Sequence, residues 1–304
     1  MLKLPAFFFR INYYQIKYLI ILFSLFASFL NPIYGQTNLY TNADFIKKLY
    51  NDPNYLIFKE KIYKEFKHSH SVYWGEFIKG VNEDLYTKQK IIAFTFDACG
   101  REKSYAYDSQ LINFLRKQKI PSTLFITGQW IDENYETFLE LSKDPLFEIE
   151  NHGFYHRPCC SNGKSIYGIQ GTKNISEAVD EIEANAQKIE RITGKKPRFY
   201  RSATAYTDEI CTKIAKKIGI TIVSYHVLAG DAIPFAPKSA IIKNVIHNLK
   251  SGPIIIMHFN HPKWNTYEAM QEIVPELKRQ GYSFVKLENI SPKKNNTQKH
   301  RLPI

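Results

Sequence analysis

Phe94-Thr95-Phe96-Asp97-Ala98-Cys99-Gly100 closes the first strongly apolar run beyond the leader of this 304-residue chain with an acid and a glycine. Read with Asn151-His152-Gly153-Phe154-Tyr155-His156 and with Met257-His258, it decides the fold. In each case a short apolar run ends in a residue able to bind a metal or move a proton. Chemistry at the ends of successive strands is the arrangement of α/β sheets and barrels, whose ligands sit where the loops at the carboxyl ends converge.

Outward from these stretches, short apolar runs alternate with amphipathic segments, which predicts parallel strands joined by crossover helices. The strands are expected at 91–96, 122–126, 147–150, 199–201, 221–224, 254–257 and 284–287. The clearest helix is expected over 176–193, where Val179, Ile182, Ala186, Ile189 and Ile192 share a face and Gly194 supplies the stop. Residues 36–89 carry Leu49, Tyr50, Ile57, Phe58, Ile62, Tyr63 and Phe66 at near-helical intervals and read as a small helical extension without chemistry of its own. The catalytic barrel is expected over 90–290 and a basic flexible tail over 291–304.

Residues 1–35 stand apart. Lys3, Arg10 and Lys17 precede the apolar run from Tyr18 to Leu30, and no acid occurs before Asp44, which matches an export signal. The uncharged run is shorter than the roughly 20 residues that a spanning helix needs. Both a cleaved signal and a retained membrane anchor fit, and either places the protein outside the cytoplasm, in the periplasm, the cell envelope or the medium. The net charge of +12 is shared between the leader, which holds three, the tail, which holds four through Lys293, Lys294, Lys299 and Arg301, and the middle, which holds the remaining five. With no zinc-finger spacing and no aromatic-basic motif, nucleic acid is not an expected partner. An exported chain with four cysteines permits three pairings if all are bridged. Neighbouring Cys159 and Cys160 are poorly placed to bond each other. Cys99 is the first candidate partner, because it follows Asp97 as that pair follows His156.

His152 and His156, four residues apart, suit a divalent transition metal such as zinc, with cobalt, nickel or manganese as alternatives. Asp97 fits either a metal ligand or the general base that takes a proton from water. His258 fits a general acid, and Asp231 a partner that keeps its imidazole charged; a histidine capping a buried strand and an acid in a turn are the plain alternatives. Arg201 is expected to hold Asp97 ionised, or else to form an ordinary ion pair.

Taken in order, these segments resemble the polysaccharide deacetylase family, also known as the NodB-homology domain or carbohydrate esterase family 4. The likeness covers about 91–290. It implies a distorted (β/α)7 barrel and a metal-dependent hydrolase that removes N-acetyl groups from a sugar polymer such as peptidoglycan, chitin or poly-N-acetylglucosamine. The first family motif, Thr-Phe-Asp-Asp, is matched by Thr95-Phe96-Asp97-Ala98, which keeps the base and loses a metal ligand. The second, His-Ser/Thr-x-x-His, is matched by His152 to His156 with glycine in place of the hydroxyl residue. Arg201, Gly230-Asp231 and Met257-His258 resemble the third, fourth and fifth. A similar branch with an Asp-Ala-Cys-Gly turn is expected to have a variant site. The alternative implied by Ala98 is a carbohydrate-binding barrel that has lost its metal.

Overall fold

The computed structural model describes residues 41–100 and 105–289. The leader and the tail lie outside the described residues, and so does any expectation placed on them. Among the described residues no helix is long and apolar enough to cross a membrane.

A nine-stranded parallel sheet organises residues 81–284. Its strands are β1 (Val81–Asn82), β2 (Ile91–Ala98), β3 (Ser122–Ile126), β4 (Phe147–Asn151), β5 (Phe199–Tyr200), β6 (Thr221–Val223), β7 (Val227–Leu228), β8 (Ile254–His258) and β9 (Ser283–Phe284). They lie in the order β7-β8-β2-β3-β4-β5-β6-β1, with β9 pairing to β2. The sheet curls: β1 pairs with β6, and Asp84 and Leu85 just beyond it meet Pro253 and Gly252 ahead of β8. This is the expected α/β architecture of the NodB type, with an N-terminal helical segment.

The seven expected strands are present. Two more come from short runs the periodicity did not mark, Val81–Asn82 and Val227–Leu228. The segment expected to be a helical extension thus also delivers a strand of the sheet. Two residues give too few alternations for a period of 2 to be visible.

Side chains alternate across β2, as they must in a strand. Ile92, Phe94, Phe96 and Ala98 face the outer helices, packing with Leu111, Leu115, Trp130 and Ile273. Ala93 faces inward with Phe125, Phe199, Val223 and Ile254.

Helices α1 (Asn42–Tyr50) and α2 (Pro53–Phe66) bury Phe45, Leu49, Tyr55, Ile62 and Phe66 against the barrel. The helix expected over 176–193 runs from Ile175 to Thr193 and carries a π-helical segment, Asp180–Ala184, that no sequence signal announced. Asp180 in that segment accepts hydrogen bonds from Tyr50 Oη at 2.6 Å, Tyr55 Oη at 2.7 Å and Lys59 Nζ at 2.6 Å. The extension is therefore pinned to the barrel by a buried carboxylate.

The cysteine expectation is corrected. Cys159 bonds Cys211, and Cys99 is free. Asp208 explains the choice: its Oδ1 caps helix α3 (Glu209–Ile218) through Cys211 N, and its own backbone N–H donates to Cys159 O. These contacts seat the helix start beside Cys159, whereas Cys99, just after β2, lies 3.6 Å from His152 Nε2.

Candidate active site

Three strand ends and two loops build the site. The parallel register sets His258 directly beside Asp97 and Phe125 on its other side. Asp97 is 2% exposed and points into the barrel. Its Oδ1 accepts from Arg201 Nη1 at 2.7 Å. Arg201 is fully buried, donates through Nη2 to Ser224 O at 2.8 Å, and lays its guanidinium 4.2 Å from the Phe125 ring centroid. Burial alone would push the Asp97 carboxyl upward, but Arg201, with His152 and His258 behind it, outweighs burial and holds it below the usual carboxylate range.

The loop after β4 is braced by the π segment. Glu181 accepts from Tyr155 N at 3.0 Å and Arg157 N at 2.9 Å, and Asn151 Nδ2 donates to Ile182 O at 2.7 Å. Gly153 has φ +94° beneath the Glu181 carboxylate, where any Cβ would collide. That explains glycine where the resembled motif has a hydroxyl residue. His156 takes the left-handed conformation, φ 55°, uncommon outside glycine and the mark of a residue held by its surroundings.

The two imidazoles turn toward one another, 5.0 Å between centroids. His152 Nδ1 lies 2.8 Å from Arg201 O. A carbonyl only accepts, so Nδ1 carries the proton and Nε2 keeps its lone pair. That Nε2 stands 3.6 Å from Cys99 Sγ and 3.6 Å from Asp97 Oδ2. His156 Nδ1 is buried with no hydrogen-bond partner. One donor atom each from Cys99, His152 and His156 lie within 4.8 Å of one another, so this trio fits a single metal ion. Asp97 stands beside the trio, one oxygen committed to Arg201. Burial pushes the Cys99 thiol up, but His156 and His258 bring it down to about 7. His152 is held below its ordinary value, chiefly by burial, and so stays neutral as a ligand must.

Beside Cys99, His258 donates through Nδ1 to Asp231 Oδ1 at 3.1 Å. Asp231 Oδ2 accepts from His258 N at 2.7 Å and from Thr266 Oγ1 at 3.0 Å. Burial works against the charged imidazole, yet Asp231 prevails and raises His258 well above the ordinary histidine value. Trp264 stacks on His261 at 3.8 Å and meets His258 edge-on at 5.5 Å. Asn260 Nδ2 donates to Cys99 O at 3.1 Å, tying the ends of β8 and β2 together.

All six residues expected to form the site, Asp97, His152, His156, Arg201, Asp231 and His258, thus converge. Sequence reasoning missed Cys99, reserved for a disulfide, although its separation by two from Asp97 at the end of a strand would have put both on one face. It also missed Glu181, for which no sequence signal exists. Beyond Arg201 in the chain, Tyr206 sets its ring 5.7 Å from Trp74 of the extension and 6.1 Å from Tyr167.

The family model "Polysaccharide deacetylase" matches residues 84–223. A peptidoglycan-N-acetylglucosamine deacetylase of Bacillus cereus is 28% identical over 208 residues, 67% of this chain and 90% of that protein. Among solved structures, a family 4 carbohydrate esterase from Bacillus anthracis described as a pseudoenzyme shares the fold, with TM-score 0.55, 23% identity, and 66% and 65% of the two chains covered. A family 4 acetyl xylan esterase from Clostridium thermocellum, in complex with a cobalt ion, does so with TM-score 0.54, 23% identity, and 66% and 89% covered. With the motif order, the parallel sheet and the convergent site in agreement, residues 84–223 form a polysaccharide deacetylase domain, the type of hydrolase that cleaves the carbon–nitrogen bond of an acetamide.

Proposed function

We propose that this protein removes N-acetyl groups from an N-acetylated sugar polymer of the cell envelope, using a divalent metal held at His152 and His156. The observation that carries this is the His152 tautomer: its Nδ1–H is spent on Arg201 O, leaving Nε2 aimed at the volume shared with Asp97 and Cys99. A metal-ligating histidine characteristically donates its other ring N–H in this way. When bound, the ion supplies Lewis acidity that polarises the acetamide carbonyl and acidifies water.

The chain's own groups do the rest. Asp97, kept ionised by Arg201, takes a proton from the water whose oxygen adds to the carbonyl carbon. His258, kept charged by Asp231, gives its proton to the sugar nitrogen as the carbon–nitrogen bond breaks, and acetate leaves. Export is supported by the basic-apolar leader and by the Cys159–Cys211 bond, which suits an oxidising compartment. The relative from Bacillus cereus supports peptidoglycan as the polymer.

Ala98 favours a second reading, a barrel that binds sugar without turnover. Acetate release decides between them. The full chain with zinc is expected to release acetate from N-acetylglucosamine oligomers or peptidoglycan, and His152→Ala to abolish it. Oligosaccharide binding without zinc uptake or acetate would establish the second reading.

A further inference from the structure

The position that carries a metal-binding acid in the resembled motif is Ala98, and in this chain it does not face the site. Ala98 is fully buried in the outer core with Phe94 and Phe96, on the helix side of β2. Asp97 and Cys99, on either side of it, face the barrel interior, where both stand 3.6 Å from His152 Nε2. The missing donor is thus offset by one residue along the chain.

We infer that the thiolate of Cys99 is the third protein ligand of the centre. The inference rests on the metal reading above and adds its donor set, with the metal class that follows.

The geometry is that of a zinc ligand pair. Bonds of about 2.3 Å to sulfur and about 2.05 Å to nitrogen at a tetrahedral angle put the two donor atoms about 3.6 Å apart. The Cys99 Sγ to His152 Nε2 separation is 3.6 Å. The buried, unpartnered Nδ1 of His156 marks the same loop as built around something absent from the chain's own hydrogen bonds.

Asp97 Oδ2 also faces His152 Nε2 at 3.6 Å but is assigned above to the reacting water; the remaining carboxylate and amide donors nearby are engaged. Glu150 Oε2 accepts from Arg198 N at 2.9 Å and Phe199 N at 2.7 Å. Asn151 Oδ1 accepts from Gly153 N and Asn185 Nδ2, both at 2.8 Å. Asp231 serves His258 and Thr266. Cys99 makes no disulfide.

On binding, the sulfur lone pair forms the metal–sulfur bond and the thiol proton passes to solvent. A thiolate with two imidazoles selects zinc and other borderline-soft ions over manganese or magnesium, which prefer oxygen donors.

Cobalt(II) titration of the metal-free full chain tests this. The expected result is a sulfur-to-cobalt charge-transfer band in the near ultraviolet, saturating at one equivalent. Cys99→Ser should lose the band and bind at least about 100-fold more weakly, since even an outer partner of a ligand is worth 10–100-fold. Cys99→Asp should bind cobalt without the band. X-ray absorption of the zinc-loaded wild type needs no variant and should show one sulfur at about 2.3 Å. One bound ion with only nitrogen and oxygen neighbours would overturn the inference and leave the metal reading standing. An acetyl group on Cys99 after incubation with substrate would also overturn it, making the thiol a nucleophile served by His258. Failure to bind any ion would bring down both.

Discussion

Asp97 and Arg201 form a fully enclosed ion pair at 2.7 Å, the carboxylate 2% exposed and the guanidinium not at all. Two features make Arg201 irreplaceable by another cation. Its fork serves Asp97 and Ser224 O at once, and its plane lies over Phe125. A lysine ammonium can do neither as well. Arg201→Lys should therefore lower kcat about 100-fold while leaving KM within a few-fold, because Asp97 acts on the reacting water rather than on the sugar. The acid limb of the pH profile should move upward, because an ammonium without the guanidinium's hydrogen bond and reach holds Asp97 less firmly in its ionised form. Steady-state kinetics across pH checks both.

Asp231 acts on His258, and its effect has a definite sign. The folded-state value of His258 is raised, so its contribution to stability is full below the unfolded value of about 6.5 and is lost as pH rises through the folded value. Asp231→Asn should move the alkaline limb of kcat to lower pH by at least about one unit. Its stability deficit should be largest below pH 6.5 and fade at high pH. An unmoved alkaline limb would remove His258 from the role of proton donor.

Glu181 holds the histidine loop at a cost that varies with pH. Burial raises its carboxyl to about 7, with the N–H groups of Arg157 and Tyr155 pulling the other way. A carboxyl raised from 4.5 gives stability that is present below pH 4.5 and lost as pH climbs to about 7, by roughly 3 kcal/mol at 1.36 kcal/mol per unit. Glu181→Gln should flatten the stability profile across that window. Gly153→Ala, which sets a Cβ against Glu181 at φ +94°, should cost about 2 kcal/mol or more and weaken zinc binding with it. Denaturation at several pH values and zinc calorimetry measure the two effects.

Much of this site was legible in the sequence because its parts lie at strand ends, where an apolar run stopping at Asp97, His152 or His258 gives position and chemistry together. The roles proposed for Asp97, Arg201, Asp231 and His258 came from the family resemblance as well. Cys99 was visible but assigned to the wrong bond, since pairing depends on which strand ends and helix starts meet in space. Cys211 lay far from every motif and gave no sign. The π segment was illegible: its extra residue leaves the apolar face of 176–193 intact, and only contacts with Asn151, Tyr155 and Arg157 reveal its purpose. The two-residue strands β1 and β7 were too short to carry a period.

The Cys159–Cys211 bond closes a loop with a sequence separation of 52 that contains the π segment. Chain-entropy arguments value such a bond at about 4 kcal/mol. Reduction, or Cys159→Ala with Cys211→Ala, should lower the free energy of unfolding by that order, read by chemical denaturation. Zinc stoichiometry should be preserved, because neither cysteine belongs to the metal-binding trio.

Acetate released per mole of bound zinc tests the central claim most directly. The full chain carrying one zinc per molecule should release acetate from N-acetylglucosamine oligomers or peptidoglycan, stop when a chelator strips the ion, and resume when zinc is restored. Full zinc occupancy with no acetate from either polymer, or acetate release undiminished by the chelator, would contradict the account.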